Sequence, residues 1–414
     1  MSARSLIRQI TSVAALAALG LGIYWSLRLA RADFLFRADS ESAVRGALRL
    51  APGNAEYHAR LAAILDGAGE PGAEAELRRA VDLNPRLASA WIELGLRAEN
   101  AGDLTRADED LLRAARADRT YTPLWTLANF YFRHERREQF WPVVRRALAI
   151  GDVRAYDPAP LFALCRKFTT DPDTVLERAI PDVGAVDSRY LQFLVRENLA
   201  PAAEHVTERV VALSGDGDLG AVFEYCDRLI AAGDAERAIH AWNALCWRTL
   251  HGYRRIDPQA GVSLTNADFS VEPVGHGFDW RLPEFDGVTV ERGGLTPRLW
   301  ITFDGREPET CDVATQVVAL VPGRKYKLRF RYQTDGLAAE SGVRWRLTDV
   351  GKRAEFPTDA RDLSSEMETA GVVHFTASTE TRLARLVLAY RRTPGTVRID
   401  GRLSLSDLAL EFDR

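Results

Sequence analysis

A chain of 414 residues with 46% apolar side chains has room for two or three domains with real cores, at roughly 150 residues each. Its formal net charge of −4 argues against a general nucleic-acid binder, leaving at most a local basic patch. None of the cysteines (Cys165, Cys226, Cys246, Cys311) lies in a C-x-x-C pair, which excludes zinc-ribbon and thioredoxin-type motifs; they read as buried free thiols. Cys226 and Cys246 fall on consecutive predicted helices, and an oxidising compartment would allow them to pair.

Residues 9–27 carry no charge and are mainly apolar from Ile10, just enough for one helical crossing of a bilayer. Tyr24 and Trp25 near the end suit the interface. Residues 1–32 are therefore expected to be a signal anchor. A cleaved signal, suggested by Ala30-Arg31-Ala32, and a buried helix are the alternatives. Basic residues flank both ends, so charge does not fix the orientation; an anchor in a bacterial inner membrane, with the bulk of the chain periplasmic, is the simpler arrangement for a long remainder.

From about residue 34 to 255 the period is helical. Residues 42–52 read as the second helix of a degenerate first repeat. Residues 55–87 place Leu61, Ala62 and Leu65 on one helix and Ala73, Leu77 and Ala80 on the next. The best-formed unit, residues 86–118, holds Trp91, Leu94, Gly95 and Ala98, a turn at residues 100–103, then Ala107, Leu111 and Ala114. Gly95, Ala107 and Ala114 should let two helices approach closely, with Trp91 and Leu111 filling the space between them. A fourth unit opens at Tyr121 and is more aromatic. Further helices read at 159–168, 188–197, 201–213, 221–232 and 235–251. The spacing resembles the tetratricopeptide repeat (TPR), whose unit is about 34 residues. That resemblance implies an α-solenoid whose groove takes a protein partner. Phe130, Tyr131, Phe132, Phe140 and Trp141, the densest aromatic cluster, are the candidates for lining it. Pro142 after Trp141 implies a helix start or a kink there.

After residue 262 the period becomes two. Residues 325–332 put Tyr326, Leu328, Phe330 and Tyr332 on one face and Lys325, Lys327, Arg329 and Arg331 on the other. Residues 343–347 alternate Val343, Trp345 and Leu347 with Arg344 and Arg346. Other strands read at 298–303, 314–320, 371–377, 383–390, 397–399 and 403–412. An antiparallel β-sandwich over 262–414 follows. The order of 264–269, Gly277-Phe278-Asp279-Trp280, Val321-Pro322-Gly323, Tyr326 to Phe330, Ile399-Asp400-Gly401 and Leu408 to Leu410 resembles jelly-roll carbohydrate-binding modules and galactose-binding-like domains. Such domains often hold a structural calcium, for which Asp268 and Asp407 are the nearest acidic candidates. Trp280 is the expected sugar platform. If strands 325–332 and 343–347 are neighbours, Lys327, Arg329, Arg331, Arg344 and Arg346 share a surface suited to an acidic polysaccharide.

Metalloprotease, nucleophile-elbow, Walker and dinucleotide motifs are absent from the sequence. Residues 214–218 resemble a calcium loop only superficially and read as a turn. The expectation is a multidomain α + β protein: transmembrane helix, solenoid and sandwich, non-enzymatic and without a cofactor beyond that calcium. It would be a scaffold of envelope or exopolysaccharide assembly, or alternatively a carbohydrate-binding protein with a helical spacer.

Overall fold

The computed structural model describes residues 3–150, 156–213, 219–294 and 297–413, with side chains from residue 13 onward; the turn at 214–218 lies outside them. The chain divides into two compact units, Met1–Phe168 and Thr169–Arg414.

In the first unit, α1 (Ala3–Phe36) is one uninterrupted helix, and its Val13–Phe36 part is long and apolar enough to cross a membrane. The expected anchor ended at residue 32, but the helix runs on and its end belongs to the first repeat. Ala32 is buried with Ala47 and Tyr57, and Arg28 Nε donates to Leu50 O at 2.8 Å. The partner helix is α2 (Glu41–Leu50), as the sequence of residues 42–52 implies.

The regular hairpins are α3 (Ala55–Gly67) with α4 (Ala73–Leu83), α5 (Ala88–Asn100) with α6 (Leu104–Ala117), and α7 (Tyr121–Arg133) with α8 (Arg137–Leu148). The helices α3, α5 and α7 begin at Ala55, Ala88 and Tyr121, a constant spacing of 33 residues. Asn54 and Asp103 cap α3 and α6 through their side chains. Pro142 lies within α8, beyond its first turn, where its missing N–H removes the donor that would reach the carbonyl of Glu138. Helix α9 (Ala159–Phe168) closes the unit.

Gly95 sets the approach of α5 and α6: a Cβ there would lie 2.7 Å from Leu111 Cγ and 3.3 Å from Ala107 O. Leu111 is fully buried and fills the gap. Trp91 does not join it. Its ring is half-buried at the surface, Nε1 donates to Pro85 O at 2.9 Å, and Arg113 lies over it at 5.0 Å.

The second unit opens with α10 (Pro172–Arg178), a helix not expected from the sequence; Asp171 caps it and Pro172 occupies its first turn. It continues with α11 (Gly184–Arg196), α12 (Glu204–Leu213), α13 (Gly220–Ala231) and α14 (Ala235–Arg248). The compact units therefore do not divide at the change from helices to strands near residue 255. The physical reason is a seam between α13–α14 and the segment leading into the sandwich. Asp227 accepts from Gly277 N (2.8 Å) and Arg281 Nη2 (2.7 Å), and Gly277 lets the chain pass so close to Trp242 that a Cβ would lie 2.6 Å from its ring. Beside it, Asp279 is buried and accepts from Tyr253 Oη and Val274 N, and burial raises its pKa.

Two antiparallel sheets follow. One has the order β1 (Val288–Gly293), β2 (Arg298–Asp304), β8 (Asp400–Phe412), β4 (Lys325–Asp335), β6 (Thr369–Thr376). The other runs β3 (Thr310–Ala319), β7 (Leu383–Arg391), β5 (Val343–Asp349). Residues 397–399 are not a strand: Ile399 N donates to the buried Glu307 at 3.1 Å and the segment stays a loop. In β8, Leu403 and Leu405 face inward and so do Leu408 and Leu410. The parity flips at a bulge opposite Arg329–Arg331, where Asp407 has φ 52°.

The tight α5–α6 contact gives a direct expectation. Gly95→Ala should destabilise the first unit by about 1–3 kcal/mol through overpacking against Leu111. Gly95→Ala combined with Leu111→Val should recover part of the loss. Denaturant unfolding of the three proteins checks this.

Candidate functional site

Helices α3 and α5 present one face each to a groove. Glu56, Ala59, Arg60 and Ala63 recur at helical spacing on α3, as do Ser89, Glu93 and Arg97 on α5. The groove measures about 550 Å³, with Phe36 beside it and Ala62, Leu77, Leu87 and Ala90 contributing apolar surface. Alanine and serine at Ala59, Ala63 and Ser89 leave it open between the longer charged side chains. Its cations are engaged: Arg97 pairs with Asp66, and Arg60 pairs with Asp39. Glu56 and Glu93 are exposed, and their carboxylates have no side-chain partner among the described residues. The groove can take a small apolar side chain, and its rim favours a positive charge next to it.

The aromatic cluster expected to line a groove instead fills the space among α7, α8 and α9. Phe130 and Phe140 are completely buried, and Tyr131 and Trp141 nearly so. Only Phe132 of the five is half-buried, packed edge-on to Phe168 at 5.0 Å. Tyr131 Oη donates to Asp108 at 2.8 Å, and burial pushes its pKa well up. Where this hairpin carries rings rather than alanines, they pack against each other and fill the space between the helices. The residues that do line one, Ala59, Ala63, Ser89 and Glu93, were not singled out in the sequence. Their only signal is small and polar residues recurring on the face opposite each hairpin seam.

Ion pairs join successive hairpins. Arg106 Nη2 reaches Glu74 at 2.7 Å, and Glu99 accepts from Arg133 through both carboxylate oxygens (2.8 and 2.7 Å) and faces His134 Nε2 at 2.8 Å. The Arg133 guanidinium, helped by His134, holds the Glu99 carboxyl below its usual range against the opposing effect of burial.

In the sandwich, Trp280 is no platform. It is completely buried, its Nε1 donates to Asn266 O at 3.1 Å, and it packs against Phe269 and Trp345 in the core between the sheets. Of the three sandwich tryptophans, Trp300 reaches the surface, half-buried between Arg298 and Arg402. The expected shared basic surface is also corrected. Lys327, Arg329 and Arg331 lie on β4 of one sheet, and Arg344 and Arg346 on β5 of the other. The first row is largely neutralised, with Arg329 on Glu411, Lys327 at 4.0 Å from the same carboxylate, and Arg331 on Glu368. The second row lines a pocket of about 470 Å³ on the outer face of the three-stranded sheet.

Asp268 and Asp407 lie on segments that meet, since Leu408 N donates to Ala267 O at 3.3 Å. Both are otherwise engaged. Asp268 accepts from Ser270 N and Oγ, and the Asp407 carboxylate lies 4.0 Å from Arg331 Nε, its residue taking the left-handed position of the β8 bulge. Among the described residues no group of three His, Cys, Asp or Glu is placed to hold a metal ion. All four cysteines are free. Cys226 Sγ points to Ala238 O, and burial pushes Cys246 up to about 12 and Cys311 to about 11.

No family model and no curated protein matches the chain. Among solved structures, one described as CBM4 is 14% identical, covering 36% of this chain and 100% of that one, with a TM-score of 0.29. YrrB, described as a TPR protein with an unusual peptide-binding site, is 14% identical over 51% of this chain and 94% of its own, with a TM-score of 0.25. The TPR domain of P58(IPK) is 17% identical over 55% and 61%, with a TM-score of 0.24. By its own hairpins and sheets, the chain is an α + β protein with TPR-like helical repeats and an antiparallel sandwich.

The Glu99 clamp has a defined pH dependence. A carboxyl whose folded pKa is depressed contributes stability above its unfolded value, near 4.5, and loses that contribution as pH falls through the folded value. Wild type and Glu99→Gln should therefore differ most in unfolding midpoint at neutral pH and converge at strongly acidic pH. A gap that stays constant across the titration would show that Glu99 does not act through its charge.

Proposed function

We propose that the protein is a non-enzymatic scaffold whose helical repeats bind a segment of a protein partner, with the sandwich adding a glycan or second protein contact. The observation that carries this reading is the α3–α5 groove, open and lined by small residues, with apolar surface and two unpaired carboxylates. Its volume lies in the range of ligand sites, roughly 300–1,000 Å³. The apolar part of α1 supports a single-pass anchor. In this reading the anchor lies in a bacterial inner membrane and the bulk of the chain is periplasmic. A protein-binding solenoid joined to a sandwich that resembles carbohydrate-binding modules suits envelope or exopolysaccharide assembly. The second reading, a carbohydrate-binding protein with its helices as a spacer, is favoured by the pocket on the three-stranded sheet.

The test is a fluorescent peptide array probed with the detergent-solubilised full chain. Peptides with a small apolar residue beside Lys or Arg should bind. Ala63→Trp, at an exposed groove position, should weaken them by about tenfold or more, equivalent to about 1.4 kcal/mol. Glu93→Lys should weaken the basic peptides selectively. Peptide binding that ignores Ala63→Trp would remove the groove from the function.

A further inference from the structure

The outer face of the three-stranded sheet is built in rows. Asp312, Ala389 and Arg344 are register partners across β3, β7 and β5, and Thr310 pairs with Arg391 in the next row. Arg391 N donates to the carbonyl of Gly342, whose bare Cα lets the two strands close up here: a Cβ would collide with the Arg391 carbonyl. Ala389 forms the low ground of the 470 Å³ pocket, with Gly342, Phe285 and Glu355 also lining it.

The three arginines here have different duties. Arg346 Nη2 is committed to Asp312 at 2.7 Å, while its Nε is buried without an acceptor. Arg344 and Arg391 are exposed, and their guanidinium groups have no hydrogen-bond or ion-pair partner among the described residues. Because Arg344 pairs with Ala389, Arg391 is its diagonal neighbour across β5 and β7. That places their backbones about 7–8 Å apart, within reach of one anion for such long side chains. Guanidinium forks match a planar carboxylate in geometry as well as charge. The Thr310 hydroxyl and the Glu355 carboxylate offer partners for hydroxyl groups, and the half-buried ring of Phe285 offers an apolar face.

We infer that this pocket binds a uronic-acid unit of an acidic polysaccharide, with Arg344 and Arg391 holding its carboxylate and Phe285 lying against the sugar ring. The inference rests on the reading of the sandwich as a glycan contact and gives that contact a place and a ligand class. Discrimination comes from the combination: neutral sugars leave both arginines unpaired, and simple anions leave Phe285 and the hydroxyl partners unused.

Calorimetric titration of the full chain in detergent tests it. The probes are a defined oligogalacturonate, its carboxyl-reduced counterpart and a panel of neutral oligosaccharides. The oligogalacturonate should bind, more weakly as salt rises, and the reduced oligomer should bind about tenfold more weakly or worse. Arg344→Ala and Arg391→Ala should each weaken the acidic oligomer by about tenfold, whereas Arg329→Ala on the opposite sheet should not. Equal affinity for the reduced oligomer, or unchanged affinity in both pocket variants, overturns the inference. Binding of neutral oligosaccharides without the oligogalacturonate overturns it while sparing the glycan reading; binding of none overturns both.

Discussion

The helical repeats depend on one steric condition, the meeting of Gly95 with Leu111. A hairpin of two helices cannot bury its own apolar face, so each must lie flat against the next. That is possible only if its two helices are close enough to present a continuous surface. At α5–α6 the closeness is set by a missing side chain, with Leu111 where a Cβ would have been. The polar links between hairpins, Arg106 to Glu74 and Arg133 to Glu99, span that stacking and hold its register. Each is partly exposed and adds modestly to stability. The 33-residue spacing persists from Ala55 to Tyr121 even though the third hairpin has a different, aromatic interior.

The same condition reaches back into α1. Its final turns pack Ala32 against α2 and bond Arg28 to the end of that helix, so the first hairpin borrows one of its members from the apolar N-terminal helix. A flexible linker would let the repeats swing freely about a membrane anchor. A shared helix instead couples the orientation of the first repeat to that of the apolar segment, because a hydrogen-bonded helix resists bending unless it is interrupted.

The helical and strand periods were legible in the sequence, because burial of one face imposes them residue by residue. The packing of Gly95 and Leu111 and the inward row of β4 followed directly. Among the features that were not legible, three concern relations between distant segments. Arg329 and Arg344 sit on strands of similar pattern, but alternation reports which face a residue takes and not which sheet it joins. Trp280 follows a turn that suggested exposure, whereas the Asn266 carbonyl that accepts its Nε1 is supplied by an earlier loop. Asp407 was a calcium candidate only as a nearby acidic residue in a domain resembling calcium-holding jelly rolls, yet its left-handed backbone is what allows Leu405 and Leu408 both to face inward.

The location of the two concavities follows from volume rather than chemistry. Aromatic residues attract attention as binding surfaces, but a large apolar ring gains most by leaving water, and with neighbours available it packs among them. Phe130, Phe140 and Trp141 do this, as does Trp280. Space remains where side chains are too small to fill it: Ala59, Ala63 and Ser89 between α3 and α5, and Ala389 on the three-stranded sheet. In both places the charged residues left without partners stand beside these small ones: Glu56 and Glu93 in the groove, Arg344 and Arg391 in the pocket. An unpaired charge at the rim of a hollow is stabilised when an opposite charge arrives with a group that fits the hollow, because shape holds the pair together where solvent would otherwise screen it. The two hollows therefore favour ligands of opposite sign, a basic segment in the repeats and an acidic one in the sandwich, and neither ligand is expected to compete for the other's site.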